Sequence, residues 1–167
     1  KGPIGYYLQW LGNFVQGDFG KIYFSGGTED VSAHLADAMP RSLLLMAYTQ
    51  VIAIAIAVPL GVVSAYRAGR RADKIISNTL FTLSSVPNFA IALLLVIFVG
   101  VKFAWLPTLG YVPLSDGVWE HLKHMIMPVI SLSLGLIATY TRLLRADMIA
   151  ALREDYVTMA ASKGLSD

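Results

Sequence analysis

The sequence has 167 residues, of which 56% are hydrophobic and only 14% are charged. About a quarter of the residues in a soluble domain are charged, so this composition indicates a membrane protein. The net charge of +2 is too small to predict nucleic-acid binding, and the absence of cysteine excludes disulfides and thiolate metal sites from this sequence.

The first forty residues are polar and rich in glycine, and they contain no signal segment of basic and then apolar residues. The first residue is lysine. We therefore expect the sequence to be an internal piece of a longer protein, and we expect residues 1–38 to form an extramembrane segment.

Three apolar segments follow, and each is predicted to be a membrane-spanning helix. Leu43–Ala65 contains 23 residues without a charge. As a helix it would be about 34 Å long, which is enough to cross about 30 Å of hydrocarbon. The second span is predicted at 75–101 and the third at 126–144. None shows the polar face that a soluble helix of this length would have.

Lysine and arginine in the connecting segments predict the orientation. Four such residues lie in "YRAGRRADK" (residues 66–74), and four more, Arg142, Arg145, Arg153 and Lys163, lie at the end of the third span and in the tail after it. The other side carries five, spread over longer segments. Positive charge is concentrated on the cytoplasmic side of membrane proteins, so the tail and the first loop are predicted to be cytoplasmic. The N-terminal segment and residues 102–125 are then outside.

The second span contains a break at Pro87, within "TLSSVPNFAIALLL". Broken backbone at membrane depth needs protein or water to satisfy its freed polar groups. Ser84, Ser85 and Asn88 could line a polar translocation pathway, or the serine hydroxyls could only patch the kink. Both interpretations stay open.

Few other residues predict chemistry. No Asp, Glu, Lys, Arg or His lies within residues 43–65, 75–101 or 126–141, which argues against an ion-coupled carrier. His121 and His124 are three residues apart, but no third ligand lies near them, so no metal site is predicted.

The tail after the third span is amphipathic and is predicted to continue as a helix from Arg142. Arg142 and Arg145 are predicted to lie at the bilayer edge, with their aliphatic stems in the apolar region. Gly164 is predicted to end the helix, because glycine adopts the left-handed cap conformation at little cost. The small residues before it would let another backbone approach closely.

The final segment, "DYVTMAASKGLSD" (residues 155–167), closely resembles the cytoplasmic loop signature of ABC-transporter permeases. The branch it is most similar to serves dipeptide, oligopeptide and nickel importers. "LGNFVQGDFGK", "SSVPNFAIALLL", "WLPTLGYVP", "MPVISLSLG" and "RLLRADMIAALREDYV" resemble further landmarks of this branch in the same order. The Glu-Ala-Ala of the general signature is replaced by Met159, Ala160 and Ala161.

The resemblance implies an all-α, polytopic fold, the type-1 transmembrane domain of ABC transporters, over residues 39–167. Three of about six expected spans would be present. It implies a permease of the cytoplasmic membrane, surrounded by lipid, that works with a second permease, two ATPase subunits and an extracytoplasmic solute-binding protein. ATP and magnesium would bind the ATPase subunits, so this chain would hold no cofactor and catalyse no reaction. The residues of the ATPase-coupling loop would be Asp155, Tyr156, Ala160, Ala161, Lys163, Gly164 and Leu165.

The sequence leaves three other classes to weigh. An ion-coupled secondary transporter would need ionisable groups at the bilayer midplane. An intramembrane enzyme would need a nucleophile with its base, or metal ligands, at that depth. A membrane anchor would need only the spans and a basic flank. The substrate cannot be read from the residues, although peptides are the expected class.

Overall fold

The structure is a computed structural model that describes residues 2–154 and Met159. The chain forms two compact units, residues 1–46 and residues 47–167. The coupling-loop residues predicted from the sequence, Asp155 to Leu165, lie outside the described residues apart from the intervening Met159, which is helical and exposed.

The first unit contains a helix, a hairpin and the beginning of a long helix. Helix α1 spans Pro3–Val15, and strands β1 (Lys21–Phe24) and β2 (Gly27–Asp30) pair antiparallel with Lys21 opposite Asp30. Helix α2 follows directly at Val31–Tyr66. The hairpin was not predicted, although the Ser-Gly dipeptide that forms its two-residue turn, Ser25 and Gly26, is a recognised turn signal.

Up to residue 154, the second unit contains the rest of α2 and four longer helical segments. These are α3 (Arg71–Ser85), α4 (Asn88–Leu95), a π-helical turn that extends α4 (Val96–Lys102), and α5 (Val118–Ala151). A short 3₁₀ turn, Leu114–Asp116, precedes α5. The chain is therefore mainly helical, as the all-α prediction requires.

Within the described residues, two helices are long and apolar enough to cross a membrane, namely α2 and α5. The pair formed by α3 and Asn88–Lys102 passes the same test as one broken span, with a bend of 90° between its two limbs. Val86 is extended and Pro87 precedes α4, because the proline ring disfavours helical geometry in the residue before it. The break predicted at Pro87 is thus present, but the size of the bend was not predicted.

Both long helices extend beyond the apolar segments that predicted them. Helix α2 begins 12 residues before Leu43, and α5 begins at Val118, eight residues before the predicted third span. The tail prediction was wrong in one respect. Helix α5 ends at Ala151, and Arg153 and Glu154 donate their backbone N–H groups to carbonyls three residues back, at 3.0 and 3.2 Å. A turn therefore interrupts the helix expected between Arg142 and Gly164.

Small residues form a buried stripe along α2. They recur at every fourth position, which places them on one face of the helix, and they are Thr49, Ala53, Ala57, Gly61 and Ala65. Small residues let helix backbones approach closely in membrane proteins. Helix α5 lies against this stripe, and the Thr141 hydroxyl donates to the carbonyl oxygen of Ala57 at 3.4 Å. The apolar core beside it is formed by Ala53, Leu80, Ile137 and Ala138.

Gly61 is the tightest point of this contact, and we expect Gly61→Val to destabilise the protein. A Cβ atom at Gly61 would lie 2.9 Å from Leu144 Cδ2 and 3.1 Å from Leu144 Cβ, so the side chain of Leu144 must move. Overpacking of this kind typically costs about 1–3 kcal/mol. Unfolding of the purified protein in detergent measures the loss. Ala55→Val, at an exposed position of the same helix, is the control, and Leu144→Ala should partly restore Gly61→Val. Equal effects of the two valine substitutions would contradict the close contact.

Candidate functional site

A buried carboxylate joins three helices where α2 ends and α3 begins. Asp73, in the first turn of α3, has only 4% of its surface exposed. Arg145 of α5 donates to it through two atoms. Its Nε lies 2.7 Å from Oδ1 and its Nη2 lies 2.7 Å from Oδ2. This bidentate geometry is the strongest arrangement of an arginine and a carboxylate.

Three further donors surround the same carboxylate. The Ser64 hydroxyl of α2 donates to Oδ1 at 2.5 Å, and the Gly69 N–H donates to Oδ2 at 2.8 Å. Ser77, one turn along α3, donates to Oδ1 at a longer 3.4 Å. The charge of Asp73 is therefore compensated by one guanidinium and shared among donors from α2, α3, α5 and the connecting turn. We refer to Ser64, Gly69, Asp73, Ser77 and Arg145 as the Asp73 cluster.

Local sequence explains why the turn reaches this position. Gly69 has a φ of +77°, a left-handed conformation that glycine adopts readily. Arg70 is the N-cap of α3 and makes no side-chain cap bond. The carboxylate of Asp73 instead accepts a hydrogen bond from the backbone N–H of Gly69, in the turn before the helix. An acidic residue in the first turn is also favoured by the helix dipole.

Of this cluster, the sequence interpretation singled out only Arg145. Arg145 was predicted to extend along the bilayer edge, whereas its guanidinium bonds a buried carboxylate. Asp73 was not singled out. A signal was present, because Asp73 is the one acidic residue in the basic loop 66–74. Arg142 differs from Arg145: it is exposed, and its hydrogen bond within the described residues goes to the Ala138 carbonyl of its own helix, at 3.2 Å.

The residues of the predicted pathway lie around the bend of the broken span. The Ser84 hydroxyl donates to the Leu80 carbonyl at 2.8 Å, and the Ser85 hydroxyl to the Phe81 carbonyl at 2.9 Å. Such bonds to the preceding turn are typical of serines that bend a helix. Asn88 faces α5 instead, because a Cβ atom at Gly135 would lie 3.3 Å from Asn88 Oδ1. The pathway therefore stays a prediction, and its two serines have local partners.

A second polar contact ties α2 to α5 nearer the middle of α2. Gln50 donates through Nε2 to the hydroxyl oxygen of Tyr140 at 2.8 Å. The contact satisfies a polar side chain in an otherwise apolar span, where an unpaired amide would be costly. Its partners are separated by 90 positions in the sequence, so spacing alone could not reveal them.

His121 and His124, near the N-terminal end of α5, each have a ring nitrogen within hydrogen-bond distance of a backbone carbonyl oxygen. His121 is fully buried, its Nδ1 lies 2.6 Å from the carbonyl oxygen of Val112, and its ring packs against Tyr48 and Tyr111. His124 Nδ1 contacts the Glu120 carbonyl oxygen of its own helix at 2.8 Å. Among the described residues, no group of three or more His, Cys, Asp or Glu side chains is arranged to hold a metal ion.

The long apolar helices, the broken span and the buried polar contacts between helices define a multi-pass α-helical membrane protein. Residues 57–167 match the family model described as binding-protein-dependent transport system inner membrane component. This match covers more than half of the chain, and the chain belongs to that family. The resemblance found in the sequence is thereby confirmed, and so is a location in the inner membrane.

Curated relatives extend the similarity over nearly the whole chain. The oligopeptide transport system permease protein AppB of Bacillus subtilis (strain 168) is 36% identical over 163 residues, which are 96% of this chain and 51% of the relative. A probable peptide ABC transporter permease protein of Sinorhizobium fredii is 31% identical over 160 residues, 96% of this chain and 50% of the relative. A putative peptide transport system permease protein of Brucella abortus (strain 2308) is 32% identical over 159 residues, 95% and 50% of the two chains. The chain spans about half the length of these relatives.

Proposed function

We propose that the chain is part of the membrane-spanning permease subunit of an ATP-driven ABC importer, with peptides as the substrate class. The observation that carries this proposal is the family match, together with relatives that are named as peptide permeases and align over nearly all of the chain. The proposed partners are a second permease, two ATPase subunits and an extracytoplasmic solute-binding protein. ATP and magnesium act on the ATPase subunits, so the contribution of this chain is conformational.

In this proposal, residues 39–167 form the type-1 transmembrane domain and residues 1–38 an extracytoplasmic segment. The coupling loop, with Ala160, Ala161 and Gly164 at its corner, docks on an ATPase subunit. The 34-residue helix α5 supports this route, since it connects the predicted outer side with the residues that lead into the loop. Asn88, which faces α5, is the pathway residue that the geometry favours over Ser84 and Ser85.

In this proposal, the Asp73 cluster also transmits movement of α5 to α3 and α2. Because Arg145 lies on α5 and Asp73 on α3, movement of α5 displaces the beginning of α3 as well. Ser64 and Gly69 connect the same carboxylate to the end of α2 and to the turn that follows it. The loop therefore acts on three helices through one ionic contact, which is what alternating access requires of a coupling element.

The proposal is tested with the full-length protein produced together with its ATPase subunits. We expect the subunits to copurify, and we expect proteoliposomes of the complex with its binding protein to take up peptide only when ATP is supplied. Uptake driven by an ion gradient without ATP would favour the secondary transporter instead. If the ATPase subunits copurify but no peptide is taken up, the assignment as an ABC permease is kept and peptides are rejected as the substrate class.

Orientation is tested by single cysteines, since this sequence contains none of its own. We expect Ser115→Cys to react with an impermeant thiol reagent from outside intact cells, and Ala68→Cys to react only after permeabilisation. Both positions are exposed. Ala68 is chosen over Gly69, whose left-handed backbone and bond to Asp73 a cysteine would disturb. The reverse labelling pattern would invert the proposed topology. Any cysteines elsewhere in the full-length protein are first replaced by serine.

A further inference from the structure

Helix α1 contains no charged residue, but most of its large apolar residues lie on one face and its small and polar residues lie on the other. At 3.6 residues per turn, seven large apolar side chains fall within an arc of about 160°, and they are Ile4, Tyr7, Leu8, Trp10, Leu11, Phe14 and Val15. Gly5, Gln9, Gly12 and Asn13 occupy the opposite side, and Tyr6, which is also exposed, lies at the edge between Asn13 and Trp10. This sorting is typical of a helix that lies at the boundary between an apolar and a polar phase.

Within the described part of the first unit, most of the apolar face is uncovered, although Phe19 packs edge-on against Phe14 with ring centroids 5.2 Å apart. All seven side chains are exposed, with relative exposures from 37% at Leu11 to 78% at Val15. The aromatic rings stack along the helix, with ring centroids 6.0 Å apart for Tyr7 and Trp10 and 5.3 Å apart for Trp10 and Phe14. A contiguous apolar surface of this size on a native protein marks an interaction site.

We propose that α1 lies in the plane of the bilayer surface, with this apolar face buried at the boundary between lipid headgroups and acyl chains. The same compact unit contains Leu43–Met46, the first residues of the apolar span of α2, so this unit itself reaches the bilayer. Tryptophan and tyrosine, both present on the face, are the residues enriched at membrane interfaces.

Charge distribution favours lipid over a protein partner. The face offers no Asp, Glu, Lys, Arg or His with which a protein could form a specific ionic contact. The charged pairs of this unit lie in the hairpin and in the first turns of α2, where Glu29 bonds His34 and Asp37 bonds Arg41. An uncharged, aromatic-rich face needs only apolar burial, which the bilayer supplies without a specific partner.

Fluorescent labels on the two faces of α1 test this placement in the full-length protein reconstituted in phosphatidylcholine vesicles. Leu11→Cys and Asn13→Cys lie on opposite sides of the helix, and each is labelled with bimane. We expect doxyl-labelled lipid to quench the label at position 11 at least about threefold more strongly than the label at position 13. Aqueous iodide should show the opposite preference. Ile4→Cys and Gln9→Cys form a second pair, so the result does not depend on one variant.

Two outcomes would overturn the proposal. Equal iodide quenching at positions 11 and 13 would place α1 in water, and protection of position 11 from both quenchers would show that protein covers it. Because α1 is uncharged, adding phosphatidylglycerol should leave the quenching ratio unchanged. Lipid quenching does not depend on ATPase association or uptake, so its failure would leave the proposed function untouched.

Discussion

Arg145→Ala is expected to lower the free energy of unfolding by about 3 kcal/mol, because removing one partner of a buried ion pair leaves the other charge uncompensated. Asp73 would keep its hydrogen bonds from Ser64 and Gly69 but lose both bonds to the guanidinium. The side chain of Arg145 is 31% exposed, so water can reach one end of the pair and the loss should fall at the lower end of the range for buried pairs. Unfolding in detergent, followed by tryptophan fluorescence, measures the change.

The chain offers matched controls for this prediction. Arg142→Ala removes the same charge from the same helix. Arg142 is exposed, and in the part of the chain that the structure describes it bonds a carbonyl of its own helix, so the effect should stay within about 0.5 kcal/mol. Arg145→Lys keeps the charge but cannot form the bidentate contact, and we expect an intermediate loss. The double variant Asp73→Ala with Arg145→Ala removes both charges, so its loss of unfolding free energy should be smaller than the sum of the two single losses. Equal losses for Arg142→Ala and Arg145→Ala would contradict a role for the pair.

The same variants separate coupling from stability. If the Asp73 cluster joins α3 to the movement of α5, Arg145→Lys should lower ATP-driven uptake more than it lowers the amount of assembled complex. ATP hydrolysis by the variant complex should then continue with less transport per ATP. A parallel fall of uptake and assembled complex would assign the cluster a structural role alone.

Gly164→Val is expected to abolish most ATP-driven uptake while the full-length permease still inserts in the membrane. The argument rests on the proposed coupling loop. A β-branched residue in the left-handed conformation predicted there costs roughly 1–2 kcal/mol, and its added bulk would stand at the corner that meets the ATPase. Copurification of the ATPase and peptide uptake into proteoliposomes measure the two steps separately. Ser162→Ala, two positions away, should leave both unchanged. Normal association and uptake in Gly164→Val would remove the basis for docking through this corner.

Hydropathy located the apolar segments but not the ends of the helices. The predicted span at 43–65 lies within α2, which begins at Val31, because a helix needs no apolar residues where it runs outside the hydrocarbon. Pro87 indicated a break, since its ring acts on the residue next to it, but the 90° angle depends on packing between distant segments. The turn after Ala151 was missed because the spacing of Leu144, Met148 and Leu152 fits a continuing helix.

The polar contacts between helices show most clearly what local pattern cannot supply. Arg145 was noticed as a cation at the edge of a span, yet its partner Asp73 lies 72 positions away. Gln50 and Tyr140 are even further apart, at 90 positions. Such pairs form only when the helices have packed. A single sequence therefore shows which polar residues are present but not which of them bond each other. The family was predictable because its motifs are local runs of residues, in the tail and in several segments before it.

The bend between α3 and α4 has a consequence for the lipid around the protein. Each limb of the broken span, Arg71–Ser85 and Asn88–Lys102, has 15 residues and is therefore about 22 Å long, shorter than the hydrocarbon core of about 30 Å. With the limbs at 90°, only one of them can stand along the bilayer normal. A limb along the normal would leave a mismatch of about 8 Å, whereas two limbs that are each tilted by about 45° together rise about 31 Å and cross the core. We therefore expect the tilt of the two limbs to respond to the acyl-chain length of the surrounding bilayer.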